Sequence, residues 1–275
     1  MQHIGLMMVR NEIDIIERYI EHIDSFGIYP VLVLDDSNDG TYERLRDWPR
    51  VKYIVKQKTL YGDQRPCDGM RQCLLEYAQR NYGYEGWFHL LHPDEFFWDD
   101  PIMMAEETDA YGRDQVNWHT MYFFLHPEDD LSNGLPVYYS PGTIEERQFK
   151  NKSGLYYHPL QDHKTTPHGL SGQHLPFGPI IRHYPLRNPQ QAQARAKDRL
   201  ATGFQEQYHW VLEEPFPICH PKLRDKGAFK FDGISFGQFE TKEQFLYYKK
   251  ERWAKLGREI AELEHNGLAR ITKKQ

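Results

Sequence analysis

Apolar and polar residues alternate in blocks along the first third of the chain, in a pattern typical of strands and helices in turn. Four short apolar runs predict buried strands: 4–9, 31–34, 51–55 and 87–91. Three stretches between these runs predict helices: 11–27, a short one from about 41, and 66–80. Strands that alternate with helices in this way pair in parallel through right-handed crossovers. The pattern therefore predicts an α/β fold with a mixed, mainly parallel Rossmann-like sheet flanked by helices.

The predicted helices have apolar faces that indicate how they pack. In the first helix, we expect Asn11 to cap the N-terminus and Gly27 to end the helix. Its apolar face holds five residues: Ile13, Ile16, Tyr19, Ile20 and Ile23. In the helix over 66–80, four residues are expected to face the core: Met70, Cys73, Leu74 and Tyr77.

The pattern becomes irregular after the first third of the chain. A strand is predicted over 115–124, and the stretch from there to 179 is rich in Gly, Pro, His and Tyr, which is typical of long covering loops. A strand over 178–184 and a helix over 189–202 follow. The segment 241–265 is predicted to be a charged helix, and its apolar stripe predicts that the helix docks on the preceding domain. We therefore expect a catalytic domain over 1–215 and a helical C-terminal extension over 216–275.

Composition narrows the class of protein. With 39% hydrophobic and 27% charged residues, the chain can form a substantial core. The net charge of −6 argues against a protein that mainly grips a phosphate backbone. Three cysteines without a paired spacing indicate a reducing compartment. There is no signal-peptide pattern and no apolar run of roughly 20 residues, so we expect a cytoplasmic protein without a transmembrane segment.

Acidic clusters follow two of the predicted strands. Residues 35–41 read DDSNDGT after the second strand, and residues 92–96 read HPDEF after the fourth. Ligands of such sheets bind beyond the carboxyl ends of the strands, and carboxylates together with substrate phosphates suit a hard divalent cation. Taken singly, the first cluster also fits an ordinary turn and the second a solvated acidic loop. A third feature, His183, ends an apolar strand within a basic segment, where an imidazole is otherwise usually structural.

The order of these motifs resembles the family 2-like glycosyltransferases of the GT-A fold. The resemblance rests on Arg10-Asn11-Glu12, on residues 35–41 and 92–96, and on His183-Tyr184. It implies a nucleoside-diphosphate sugar donor, a glycan or other hydroxyl acceptor, inversion, and Mn²⁺ or Mg²⁺ as cofactor. A nucleic-acid acceptor stays open.

The resemblance also implies roles for individual residues. Asp94 and His183 would bind the metal, and both end apolar strands that can bring their tips to one edge of the sheet; the imidazole favours Mn²⁺. Seven residues would bind the nucleotide: Arg10, Glu12, Asp35, Asp36, His92, Arg195 and Lys197. Four residues are candidate catalytic residues: Asp94, Glu95, Asp162 and His163. The last two lie with Glu145 and Glu146 in the presumed covering region, and any of these four could be the general base.

The sequence departs from the family pattern at His92, which stands where the motif usually has its first Asp. If the extended geometry continues, His92 and Asp94 share one face of the strand. Two other functions stay open at this point. One is a metal-dependent nucleotidyltransferase or phosphohydrolase on a similar sheet, and the other is a non-catalytic protein that binds sugar nucleotides or glycans.

Overall fold

The structure is a computed structural model that describes residues 1–56, 68–126, 129, 134–157, 166–174, 178–201 and 229–230. The chain divides into two compact units, residues 1–228 and 229–275. Of the second unit, only the short strand Phe229–Lys230 is described. The predicted helix over 241–265 and the extension it belongs to therefore lie outside the described residues, and the domain boundaries stay a prediction.

The described part of the first unit contains eight strands and five helices. The strands are β1 (His3–Val9), β2 (Val31–Asp35), β3 (Val51–Lys56), β4 (Trp87–Leu91), β5 (Glu95–Phe97), β6 (Gln115–Phe123), β7 (Tyr138–Lys150) and β8 (Ile180–His183). The helices are α1 (Ile16–Phe26), α2 (Thr41–Arg46), α3 (Asp68–Tyr82), α4 (Pro101–Ala110) and α5 (Pro189–Ala201). None of these helices has both the length and the apolar composition needed to span a bilayer.

The eight strands form one mixed sheet in the order β3-β2-β1-β4-β7-β6-β8-β5. Its first half is parallel, because β1 pairs with both β2 and β4, and β2 pairs with β3. Its second half is largely antiparallel, with β7 between β4 and β6, and β5 along β8. The predicted α/β class with a mixed, Rossmann-like sheet is confirmed.

The prediction of an irregular stretch up to residue 179 is wrong over Tyr138–Lys150. β7 covers thirteen residues within it and pairs with β6 over most of its length. Its register against β6 shifts twice, between Val116 and Asn117 and between His119 and Met121. Such irregularities bend a strand and break the alternation of apolar and polar positions, which is why the sequence pattern does not show a strand here.

Of the two predicted ends of α1, the N-terminal one is wrong and the C-terminal one is confirmed. Asn11 does not cap α1, which begins at Ile16 after Ile15, a residue that makes no side-chain cap. Asn11 instead adopts a positive φ of 54°, a conformation that asparagine tolerates better than most residues. At the other end, Gly27 has a φ of 78° and ends α1 in the left-handed conformation, as predicted.

In α3, Cys73 is exposed and not part of the core. The face that α3 buries holds Leu74, Leu75 and Ala78, and Tyr77 packs at its edge. These residues belong to one buried cluster with side chains of β1, β2 and β4, on one side of the parallel half of the sheet. The apolar stripe is thus rotated by about one position from the predicted one.

A buried polar network crosses the centre of the sheet. His89 Nε2 lies 3.0 Å from His3 Nδ1, and His89 Nδ1 lies 2.8 Å from Gln148 Nε2. Trp118 Nε1 donates to Gln148 Oε1 at 3.0 Å. The network therefore joins β1, β4, β6 and β7. Burial lowers the pKa of His89 well below its usual value, so the imidazole is neutral in the folded protein.

His89 is expected to make folding stability depend on pH. The unfolded chain takes up a proton at this imidazole near pH 6.5, whereas the folded chain does not, so the free energy of unfolding falls as the pH drops below about 6.5. Relative to His89→Gln, the wild type should lose about 1.4 kcal/mol per pH unit in that range. Urea unfolding of both proteins between pH 7.5 and 5 measures this, and parallel pH profiles would contradict it.

Candidate functional site

Two loops at the carboxyl ends of β1 and β2 are locked together. The backbone N–H of Asn11 donates to Ser37 Oγ at 2.9 Å, and Asn11 Oδ1 accepts from the N–H of Asn38 at 2.9 Å. The N–H of Glu12 donates to Thr41 Oγ1 at 2.9 Å. Side-chain oxygens thus satisfy the backbone donors of both loops. The motifs at 10–12 and 35–41 form one structural unit at the edge of the sheet.

The two aspartates of this unit have different environments. Asp35 is fully buried, and its carboxylate accepts hydrogen bonds from both the N–H and the hydroxyl of Ser37. Burial raises the pKa of Asp35. Asp36 forms an ion pair of 2.7 Å with Arg10, and both side chains are partly exposed. Asp35 therefore shapes the turn, and the Arg10–Asp36 pair lies where a ligand could reach it.

Asp94 and His183 are brought together by the pairing of β5 with β8. In this antiparallel pair, Glu95 lies opposite His183, and the N–H of Tyr184 donates to the carbonyl oxygen of Asp94 at 2.7 Å. Asp94 Oδ2 consequently lies 3.4 Å from His183 Nε2. The two residues share one edge of the sheet because Asp94 directly precedes β5, which runs antiparallel to β8.

The charges around Asp94 keep its carboxylate ionised. Burial alone would raise the pKa of Asp94, but His183 and Arg195 outweigh it and hold that pKa well below its usual range. Arg195 Nη1 lies 3.0 Å from Asp94 Oδ2. Burial likewise opposes the protonation of His183, but the Asp94 carboxylate raises the pKa of this imidazole. The site therefore holds a fixed negative charge on Asp94 beside the positive charge of Arg195.

Glu95 is held by a buried arginine that the sequence pattern does not reveal. Both carboxylate oxygens of Glu95 accept from Arg147, at 2.6 Å from Nη2 and 2.5 Å from Nε. Burial opposes ionisation, but Arg147 lowers the pKa of Glu95 to about 2. Arg147 Nη1 also lies 3.3 Å from Glu145 Oε2. Arg147 therefore occupies the carboxylate of Glu95, and of its two acidic partners Glu145 is the more exposed.

A second buried arginine joins the first loop to the His183-Tyr184 motif. Arg187 donates to Glu12 Oε2 at 2.5 Å, to Asp14 Oδ2 at 2.8 Å, and to the carbonyl oxygen of Tyr184 at 3.1 Å. Arg195 Nη1 lies 3.5 Å from Glu12 Oε1. Burial raises the pKa of Glu12 to about 7 although Arg187 opposes the shift. The start of the chain and α5 thus meet in one charged network beside Asp94.

His92 lies in the turn between β4 and β5. This turn is closed by a hydrogen bond of 2.9 Å from the N–H of Glu95 to the carbonyl oxygen of His92. The extended geometry that was expected to align His92 with Asp94 is therefore interrupted. Even so, the potential ligand atoms of His92, Asp94 and Glu95 all lie within 4.8 Å of one another. Burial lowers the pKa of His92 to about 4, which leaves a neutral imidazole that can bind a metal.

The remaining predicted site residues are not part of this cluster. Lys197 is exposed on α5, two positions after Arg195, so it faces away from Asp94. Glu146 accepts from Thr166 Oγ1 at 2.8 Å. Asp162 and His163 lie outside the described residues. The residues that the structure adds to the sequence-based set are Arg147 and Arg187.

Comparison of the sequence with protein-family models and with curated proteins gives no match. Among solved structures, TarS from S. aureus is similar with a TM-score of 0.33 and 16% identity over 50% of this chain and 25% of TarS. A Bacillus anthracis protein described as a glucose-1-phosphate thymidylyltransferase has a TM-score of 0.29 and 10% identity over 54% of this chain and 68% of its own. Both likenesses are low and support no functional statement, so function has to be argued from the site itself.

Proposed function

We propose that the chain is a glycosyltransferase that uses a nucleoside-diphosphate sugar and a divalent cation. The observation that carries this proposal is the cluster in which Asp94 and His183, 3.4 Å apart, adjoin Arg195 at the carboxyl edge of the parallel strands. A ligand at this edge is reached by the loops after β1, β2 and β4 together. The resemblance of the ordered motifs to family 2-like glycosyltransferases agrees with it.

The donor set of the cluster fits a divalent cation. A separation of 3.4 Å between Asp94 Oδ2 and His183 Nε2 is close to that of two neighbouring ligands on one ion, roughly 3 Å. His92 offers a neutral imidazole in an adjoining group with Asp94 and Glu95, which shares Asp94 with this pair. A carboxylate oxygen together with an imidazole nitrogen favours Mn²⁺ over Mg²⁺. A bound cation would supply positive charge for the departing nucleoside diphosphate.

The protein's own residues would meet the remaining charge of the diphosphate. Arg195 extends from α5 to the edge of the cluster with about a fifth of its side chain exposed. An arginine fork binds phosphate oxygens bidentately, and positive charge placed where the leaving group develops negative charge lowers the barrier to transfer. The partly exposed Arg10–Asp36 pair at the neighbouring loop would contact the nucleoside. The sugar and the attacking hydroxyl of the acceptor would then lie beyond the diphosphate.

The deciding experiment identifies the product of donor breakdown. The purified chain is incubated with Mn²⁺ and a panel of nucleotide sugars, and the released phosphate compounds are separated by ion-exchange chromatography. Release of nucleoside diphosphate that depends on Asp94 supports the proposal. Release of pyrophosphate or inorganic phosphate would instead identify a nucleotidyltransferase or phosphohydrolase. Thermal stabilisation by a nucleotide sugar without turnover would identify a binding protein.

Replacing Asp36 is expected to weaken nucleotide binding. Asp36→Ala removes the partner of Arg10 and a carboxylate that can accept from ribose hydroxyls or a base N–H. The expected loss of about 1–3 kcal/mol raises the Kd for the nucleotide by roughly 5- to 150-fold. Calorimetric titration with the nucleotide found in the panel measures the change. Asp47→Ala is the matched control, because Asp47 is exposed and pairs with Arg46 at the end of α2. Equal affinity in the two variants would remove Asp36 from the nucleotide site.

A further inference from the structure

Two arginines belong to the charged network beside the candidate metal site, and the structure holds them differently. Arg187 is 1% exposed and is fixed by Glu12, Asp14 and the carbonyl oxygen of Tyr184. The side chain of Arg195 is 21% exposed, and its Nη1 lies between two carboxylates, 3.0 Å from Asp94 Oδ2 and 3.5 Å from Glu12 Oε1. Arg187 is thus a permanent part of the network, whereas Arg195 lies at its solvent side.

The oxygen atom that Arg195 contacts is also the one nearest to His183. Asp94 Oδ2 lies 3.0 Å from Arg195 Nη1 and 3.4 Å from His183 Nε2. A divalent cation bound by Asp94 and His183 would therefore lie close to the guanidinium, and like charges at that range repel strongly in a buried site. Cation and guanidinium compete for one carboxylate oxygen.

We propose that Arg195 is an internal counter-ion for Asp94, which is displaced from that carboxylate when the divalent cation binds and is thereby released to the diphosphate of the donor. The inference rests on the proposed function, since it concerns the same metal site. Arg195 would then exchange its contact with the Asp94 carboxylate for a contact with the diphosphate. Without nucleotide, the guanidinium lowers the affinity for the cation. With nucleotide, the diphosphate accepts the guanidinium, so cation and nucleotide favour each other's binding.

The test measures the binding of Mn²⁺ in the absence of nucleotide, because Arg195 is then expected to compete with the cation for Asp94. Replacing a basic residue beside a metal site is expected to raise cation affinity: Arg195→Gln should bind Mn²⁺ at least tenfold more tightly than the wild type. Arg195→Lys keeps the charge on a shorter side chain and should stay closer to the wild type. Arg46→Gln is the control, because Arg46 is an exposed arginine at the end of α2, paired with Asp47. Electron paramagnetic resonance of free Mn²⁺ in titrations of the full chain gives the dissociation constants.

The outcomes separate this inference from the proposed function. Tighter binding in Arg195→Gln that is lost in Arg195→Gln/Asp94→Asn supports the exchange of partners. If Mn²⁺ binding depends on Asp94 but Arg195→Gln binds it equally or more weakly, the inference is wrong and the metal site stands. If Asp94→Asn binds Mn²⁺ as well as the wild type does, both the inference and the metal site are wrong. Circular dichroism and thermal unfolding of each variant show whether it is folded, and a folded Arg195→Lys provides a second reading if Arg195→Gln is not.

Discussion

Asp94→Asn and His183→Gln are each expected to lower turnover by about two orders of magnitude or more, while the protein remains folded. Each change replaces one of the two proposed ligand groups, which lie 3.4 Å apart at the proposed cation site. Asp94→Asn keeps the size of the side chain and removes its charge. His183→Gln removes the imidazole at the end of β8 and leaves the backbone pairing with β5 unchanged.

The double variant gives the sharper result. If both side chains act through one cation, the second change removes little that the first has left, so the combined loss should be far smaller than the sum of the two free energies. Initial rates at saturating donor, measured across a range of Mn²⁺ concentrations, provide the comparison. Asp109→Asn is a suitable control, because Asp109 lies on α4 and pairs with Lys150 of β7, away from the cluster. Additive losses would show that Asp94 and His183 act independently.

The parallel half of the sheet could be predicted because its strands carry their signal locally. β2 and β4 are buried along their whole length and are mostly apolar, apart from Asp35 at the end of β2 and His89 within β4. α4, in contrast, is not among the predicted helices, although the residues at its N-terminus are typical of a helix start. Asp100 accepts hydrogen bonds from the N–H groups of Ile102 and Met103, and Pro101 occupies the first turn. An aspartate followed by a proline is a sequence pattern that predicts the N-terminus of a helix.

The charged core of the site could not be predicted in the same way. Arg147 lies 52 positions from Glu95 in the chain, and Arg187 lies 175 positions from Glu12. An isolated arginine in a sequence is most often a surface residue, and only the tertiary fold shows that these two are buried with carboxylates. The same holds for β5, whose three residues are too few to form a pattern but determine the distance between Asp94 and His183.

The ion pair between Arg147 and Glu95 is expected to be among the most sensitive points of the fold. Arg147→Met should lower the free energy of unfolding by about 3–5 kcal/mol, because it leaves Glu95 buried without its counter-charge. Both side chains are at most 5% exposed, so water cannot replace the lost partner. Chemical denaturation at pH 7.5 of Arg147→Met, Glu95→Gln and the double variant measures the loss and the coupling between the two residues.

The combination of variants and pH distinguishes a paired charge from simple loss of packing. Glu95→Gln removes the charge that Arg147→Met strands, so the double variant should be more stable than the sum of the single losses predicts. The pKa of Glu95 is about 2 in the folded protein and near 4.5 otherwise. Its ionised form therefore stabilises the fold above pH 4.5, and this contribution is lost as the pH falls toward 2. The difference in stability between wild type and Glu95→Gln should shrink over that window. A constant difference, together with additive losses at pH 7.5, would mean that Arg147 supports the turn before β5 by packing and not by its charge.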